Sequence, residues 1–301
     1  MKHLVHQGPV LAALGRVAVS ALTQKTGGSL PDLPTPLESL TVPARPPSLL
    51  RDYVRAVGGN PKGYGSTVPA HLFPQWGFPL LSNTYALLPY PLAKVLNQGC
   101  RIQVNQPLPA GEPLHLSAQL TEVREDPGKA RITQRLVTGT ADVPEALVCE
   151  VYATVPLPRD PSPEGGVEKR PRRAPPTVAG HLRELQRWRL PADAGWEFAC
   201  LTGDVNPVHW ITPYARVAGF ESVILHGFAT LARALEGITK TRWSGDPWRL
   251  KCVDVRFVRP LVLPAKAGLY LEPGLVEHPR RLAVGSAPGG LAYMLGTLEE
   301  T

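Results

Sequence analysis

The stretch from Phe198 to Leu235 reads FACLTGDVNPVHWITPYARVAGFESVILHGFATLARAL. It sets a carboxylate at Asp204 and an imidazole shortly after it at His209. Together these groups cover proton acceptance and donation near neutral pH. Asn206-Pro207 stands between them. Proline turns its predecessor away from helical geometry, whereas Asn caps helices and Pro opens them. Asn206 is therefore expected as an N-cap, Pro207 as the first helical position and His209 as the third. Thr212-Pro213 repeats the signal, and a short helix from Pro213 to Ala218 stops at Gly219. A loop punctuated this tightly holds its side chains firmly, as functional loops do. The spacing leaves a second account open, with Asp204 as a turn residue and His209 as a surface histidine.

The next element is Ile224-Leu225-His226-Gly227-Phe228, after which Leu231, Ala232 and Leu235 recur at helical spacing. A glycine opening an apolar helix leaves backbone N–H groups available to an anion or oxyanion. Close packing against a sheet would call for glycine equally well.

These residues need elements to position them. Of the 301 residues 43% are hydrophobic, enough for a large core, and the length fits two domains or one large one. Proline (34) and glycine (28) are abundant without a G-X-Y period, which implies many turns and excludes collagen. The clearest break is Pro156 to Gly180, which lacks apolar periodicity and includes the basic run Lys169, Arg170, Arg172 and Arg173. It is expected as a solvated linker. It separates an N-terminal unit, 1–155, from a C-terminal unit, 181–301.

The units share an outline. Val104-Asn105-Gln106-Pro107-Leu108 is echoed by Phe257-Val258-Arg259-Pro260-Leu261, an offset of 153 residues. A helical stretch (Phe78 to Asn97, or Ser222 to Ile238) precedes four short strands in each. The strands are expected at 101–106, 114–123, 130–140 and 146–155, then at 250–258, 268–275, 281–286 and 291–298. Alternation such as Leu116, Ala118, Leu120 against Ser117, Gln119, Thr121 marks half-buried strands. The layout is α+β, a helix packed on an antiparallel meander, made twice. Val10 to Thr23 and Ser48 to Val57 are two further helices expected to complete or cover the first unit.

Net charge is +7, with a pI near 9.4, which permits an anionic partner and selects none; Arg216 and Arg233, close to the motif, are expected as solvated surface residues. No aromatic RNA-binding motif, zinc ligand set or basic recognition helix appears, so no nucleic acid partner is expected. No run of 18 apolar residues appears, so no membrane span is expected. Residues 1–22 bear a faint likeness to a signal peptide, but Arg16 interrupts the apolar run, and the segment is expected to belong to the fold. Cys100, Cys149, Cys200 and Cys252 lie in apolar segments without metal-ligand spacing, so buried free thiols, a reducing compartment and a cytoplasmic location are expected.

Phe198 to Ala215 resembles the signature of the MaoC-like dehydratase family, the (R)-specific enoyl-CoA hydratases or hydratase 2. That signature is an aromatic residue, an apolar pair, then Ser/Thr-Gly-Asp-x-Asn-Pro-aliphatic-His and, after five residues, a small one. Here it reads Phe198, Leu201, Thr202, Gly203, Asp204, Asn206, Pro207, Val208, His209 and Ala215. Gly219-Phe220 and Ile224-Leu225-His226-Gly227 match the continuation, and the likeness covers about 185–301.

The resemblance implies a double hotdog, two antiparallel sheets each wrapped on a central helix. The first unit, which lacks the loop, would form the acyl-chain side of the pocket. It implies reversible addition of water to a trans-2-enoyl thioester, a hydro-lyase reaction in fatty acid metabolism. Asp204 and His209 would hold and deprotonate water, the Gly227 N–H would receive the enolate oxygen, and Asn206 would orient the loop. No metal or redox cofactor is implied; coenzyme A or acyl carrier protein carries the substrate. A thioesterase on the same fold, a non-catalytic acyl-thioester-binding subunit and a homodimer stay open.

Overall fold

A computed structural model describes residues 3–23, 28–91, 95–158, 174–274 and 279–301. The first half runs α1 (Gly8–Thr23), β1 (Glu38–Val42), α2 (Pro47–Ala56), α3 (Pro74–Tyr85), β2 (Leu96–Val104), β3 (Leu114–Asp126), β4 (Lys129–Gly139) and β5 (Leu147–Pro156). The second runs β6 (Arg183–Leu190), α4 (Ala194–Thr202), α5 (Thr212–Val217), β7 (Ile224–Leu225), α6 (Gly227–Thr241), β8 (Leu250–Phe257), β9 (Leu261–Val262), β10 (Ala265–Leu271), β11 (Arg280–Gly285) and β12 (Ala292–Glu300). Along β3, Leu114, Leu116, Ala118 and Leu120 are buried while the residues between them are not, as alternation requires.

Ten strands form one antiparallel sheet in the order β1-β3-β4-β5-β2-β8-β12-β11-β10-β6. Each half supplies five strands in corresponding order. The sequence suggested two sheets; the structure fuses them edge to edge where β2 pairs with β8, from Gly99 opposite Arg256 to Gln103 opposite Cys252. Gly99 has φ +134, and a side chain there would strike the Val255 carbonyl, so this close approach requires glycine. The Arg256 guanidinium lies 3.4 Å from the Tyr152 ring centroid, a cation–π contact tying β8 to β5.

The offset relating Val104 to Phe257 also relates Pro74 to Gly227, the first residues of α3 and α6. Trp76 and Leu80 of α3 join Leu231, Leu235 and Ile238 of α6 in one continuous apolar core.

The helix suggested at 78–97 instead starts at Pro74 and ends at Tyr85, because Pro89 and Pro91 cannot continue it. The one suggested at 222–238 spans Gly227–Thr241, since Ile224–Leu225 pairs with Leu261–Val262 as β7 with β9. Residues 159–173 of the expected linker, with its basic run, lie outside the described residues. Both described flanks are held. Leu157 N–H donates to Gly128 (3.0 Å), and Val178 N–H to Gly290 (2.9 Å). Val178 is wholly buried among Leu182, Tyr270, Ala283 and Ala292. One apolar side chain anchors that flank, and a single residue makes no periodic signal.

Val10 and Ala13 of α1 are buried, and α1 packs along α3. All four cysteines are buried and free. Among the described residues no helix is long and apolar enough to cross a membrane.

Candidate active site

The site is built where α4 gives way to a loop. Gly203 ends α4 in left-handed geometry (φ +84), and an added Cβ would lie 2.8 Å from Val10. Glycine is thus required both to turn the chain and to admit α1. Asp204 follows directly. Asn206 Oδ1 accepts the Val208 N–H at 3.2 Å and caps a short 3-10 turn over Pro207–His209. The Asn206 backbone N–H reaches Asp204 Oδ1 at 3.4 Å. Asn206 is itself exposed, so its contacts hold the loop and the carboxylate. Trp210 Nε1 donates to the Val205 carbonyl at 3.0 Å and closes the turn.

His209 Nδ1 lies 2.8 Å from the Ile224 carbonyl. A carbonyl only accepts, so Nδ1 carries the proton and Nε2 keeps a free lone pair. Burial lowers the His209 pKa below its usual 6.5, opposed by the Asp204 charge and the Ile224 bond. The ring is therefore a neutral base at pH 7, with its tautomer set.

The motif contains His226 without giving it a task. His226 is 2% exposed, and its ring stacks on His209 with centroids 3.5 Å apart. Its Nε2–H donates to the Asp204 backbone carbonyl at 3.0 Å and lies 3.8 Å from the Asp204 carboxylate. Burial, reinforced by His209, lowers its pKa to about 4, so it stays neutral. Its Nδ1 is buried with no hydrogen-bond partner among the described residues. Phe198, the aromatic of the signature, packs against this ring at 5.0 Å. The signal available in the sequence was a polar ring inside the apolar run 224–228, which must find a partner once buried.

Asp204, His209 and His226 can bring one polar atom each within 4.8 Å of one another. A carboxylate with two imidazoles is also a composition that holds divalent metals. Here one nitrogen of each ring is already committed as a donor to a carbonyl.

Gly227 opens α6, and an added Cβ would sit 2.5 Å from the Phe257 ring. Packing thus demands glycine, and the N–H of a first helical turn lacks an intrahelical acceptor as well. Arg216 is exposed, as expected. Arg233, expected in solvent, is largely buried and donates to the Ala56 carbonyl at 2.8 Å, because α6 is enclosed on nearly every side.

A cavity of about 300 Å³ extends from this loop into the first half of the chain. Phe198, Thr202, Asp204, Asn206 and Phe228 line one part; Phe78, Leu81, Tyr85, Gln134 and Val151 line the other. Val10 and Leu14 of α1 complete its wall. Of the four expected site residues, Asp204 and Asn206 line it. His209 and Gly227 do not; a His209 ring nitrogen lies within 4.8 Å of the Asp204 carboxylate, and Gly227 precedes Phe228. Gln7 ties α1 to the loop's base, its Nε2 donating to the Leu201 carbonyl at 2.8 Å. Gln7 Oε1 accepts from Gln75 at 2.9 Å, and Gln75 accepts from Arg45 at 3.1 Å.

A family profile described as MaoC like domain matches residues 168–274. The peroxisomal enoyl-CoA hydratase 2 of Arabidopsis thaliana is 30% identical over 172 residues, 52% of this chain and 53% of that protein. The chain thus spans about half the length of this curated relative. HtdX of Mycobacterium tuberculosis superposes with a TM-score of 0.65 at 21% identity, over 88% of this chain and 100% of that one. A second M. tuberculosis protein, described as having a double hotdog fold, superposes at 0.57 and 14% identity, over 90% of this chain and 97% of that one. Residues 168–274 are therefore identified as a MaoC like domain, within a chain whose fold is the double hotdog.

Proposed function

We propose that the chain is a hydro-lyase that adds water reversibly to a trans-2-enoyl thioester, giving a 3-hydroxyacyl thioester of (R) configuration. The observation that carries this reading is the neutral His209, its tautomer set by the Ile224 carbonyl, beside the Asp204 carboxylate at the end of an apolar cavity. Asp204 holds a water by one hydrogen while His209 Nε2 accepts the other as oxygen attacks C3. The C2=C3 electron pair moves through the carbonyl to the thioester oxygen, which the Gly227 N–H receives. The imidazolium, stabilised by Asp204, returns the proton to C2 and completes the addition. Conjugation with the thioester makes C3 electrophilic, so the scheme runs on acid–base groups alone.

Coenzyme A or an acyl carrier protein would carry the acyl group, and the net charge of +7 is compatible with either. Four buried free thiols support a reducing, cytoplasm-like compartment. Pairing into a homodimer is compatible with the fold.

The test is loss of the enoyl absorbance of crotonyl-CoA, recorded beside release of free thiol. Hydration without thiol release supports the proposal; thiol release would instead mark a thioesterase. Asp204→Asn and His209→Ala should each lower turnover by about 10²–10⁴-fold while the circular dichroism spectrum is kept. Tight acyl-CoA binding with no turnover in the unaltered protein would sink the proposal in favour of a binding subunit.

A further inference from the structure

Resting on the hydratase reading, the far wall of the cavity narrows the substrate. Gln134 on β4 lines the cavity and is wholly buried. Its Nε2 donates to the Leu81 carbonyl at 2.8 Å and to the Thr84 hydroxyl on α3. Because the Leu81 carbonyl only accepts, these bonds establish which end of the amide is nitrogen. The other end, Oε1, is buried with no hydrogen-bond partner among the described residues. Tyr85, also on the cavity wall, has its phenol pKa raised by burial, so it keeps its proton and can donate. Ser82 on the same wall spends its hydroxyl proton on the Pro79 carbonyl at 2.8 Å and retains acceptor lone pairs.

These three residues belong to the first half of the chain, whereas Asp204 and Thr202 belong to the second. A thioester placed at Asp204 would therefore direct its acyl chain toward Gln134. A plain hydrocarbon would fill the apolar wall and leave the amide oxygen dry and unpaired. A chain bearing a hydroxyl could donate to Gln134 and accept from Tyr85.

We propose that the preferred acyl group carries a hydroxyl several carbons beyond the reacting double bond, received by Gln134 Oε1. A buried acceptor paired by one substrate and stranded by its analogue discriminates by roughly tenfold or more.

The probes are trans-2-hexenoyl-, octenoyl- and decenoyl-CoA, each compared with its ω-hydroxy counterpart by kcat/KM. In the unaltered protein at least one length should favour the hydroxylated chain by about tenfold, and Gln134→Met should bring that ratio to one or below. Tyr85→Phe should lower it in the same direction. A ratio at or below one at every length, measured without any variant, overturns the inference, as does a ratio that survives Gln134→Met. Crotonyl-CoA separates the two readings, since its hydration reports the chemistry alone. Should no enoyl-CoA be hydrated, the hydratase reading fails. Calorimetry with saturated acyl-CoA and ω-hydroxyacyl-CoA then still decides the pocket, and equal affinities overturn the inference.

Discussion

His226 stacks face to face on His209, centroids 3.5 Å apart, while its Nε2–H bonds the Asp204 carbonyl at 3.0 Å. One buried neutral ring thus holds both members of the acid–imidazole couple. His226→Phe keeps an aromatic surface and deletes the donor. Leaving the Asp204 carbonyl without this bond should cost about 1–3 kcal/mol of loop stability. In steady-state kinetics on crotonyl-CoA, kcat should fall by at least tenfold with KM little changed. A variant with unchanged kcat would remove His226 from the positioning role.

Acid should act on the same pair. Burial lowers the His209 pKa, so its base form persists below pH 6.5 and the acid limb of kcat/KM should lie beneath that value. Folded His226 takes a proton only near pH 4, whereas an unfolded histidine does so near 6.5. Between these values the unfolded chain binds more protons, so folding stability falls as pH falls from 6.5 toward 4. For this one group the loss totals about 3 kcal/mol. Urea midpoints across that range should show the decline, with a shallower slope in His226→Phe.

Gly227 meets two demands that substitution can separate. Gly227→Ala and Gly227→Pro both drive a Cβ toward Phe257. Only proline removes the N–H, and proline is tolerated at the first helical position. His226, with φ −57 and ψ 138, already has the extended geometry that precedes proline. The alanine variant should therefore exceed the proline variant in kcat by about 10²–10³-fold. Equal rates would dismiss the oxyanion role.

A buried carboxyl group joins the halves. Glu236 of α6, 2% exposed, accepts from the Tyr64 hydroxyl at 2.8 Å and lies 3.1 Å from His71 Nε2. Glu236→Ala would leave the Tyr64 hydroxyl and His71 Nε2 only each other, 3.1 Å apart, and should lower unfolding free energy by about 1–3 kcal/mol in denaturant titration. Glu236→Gln should cost less, since the amide oxygen can still accept from Tyr64.

What was legible in the sequence was what local chemistry decides. Asn206-Pro207 announces a capped turn, and alternation along Leu114–Leu120 announces a strand. The register joining β2 to β8 was not legible, because it depends on shape complementarity between distant strands and leaves only Gly99 as a trace. Gln7 and Val10 were hidden similarly. Their partners at Leu201 and Gly203 lie nearly two hundred residues away, and nothing in residues 7–10 points there. His226 bonds a main-chain carbonyl, which any residue could have supplied, so Asp204 carries no sequence mark of that contact. Arg233 looked like a surface charge because a helix enclosed on most sides has no polar face by which to judge it.

The continuous ladder through β2 and β8 makes each half the missing neighbour of the other. Severed between them, the protein would become two fragments with matching open borders. Coexpressed, the fragments should find each other and reassemble without a tether; made singly, each would carry an adhesive strand seeking any mate.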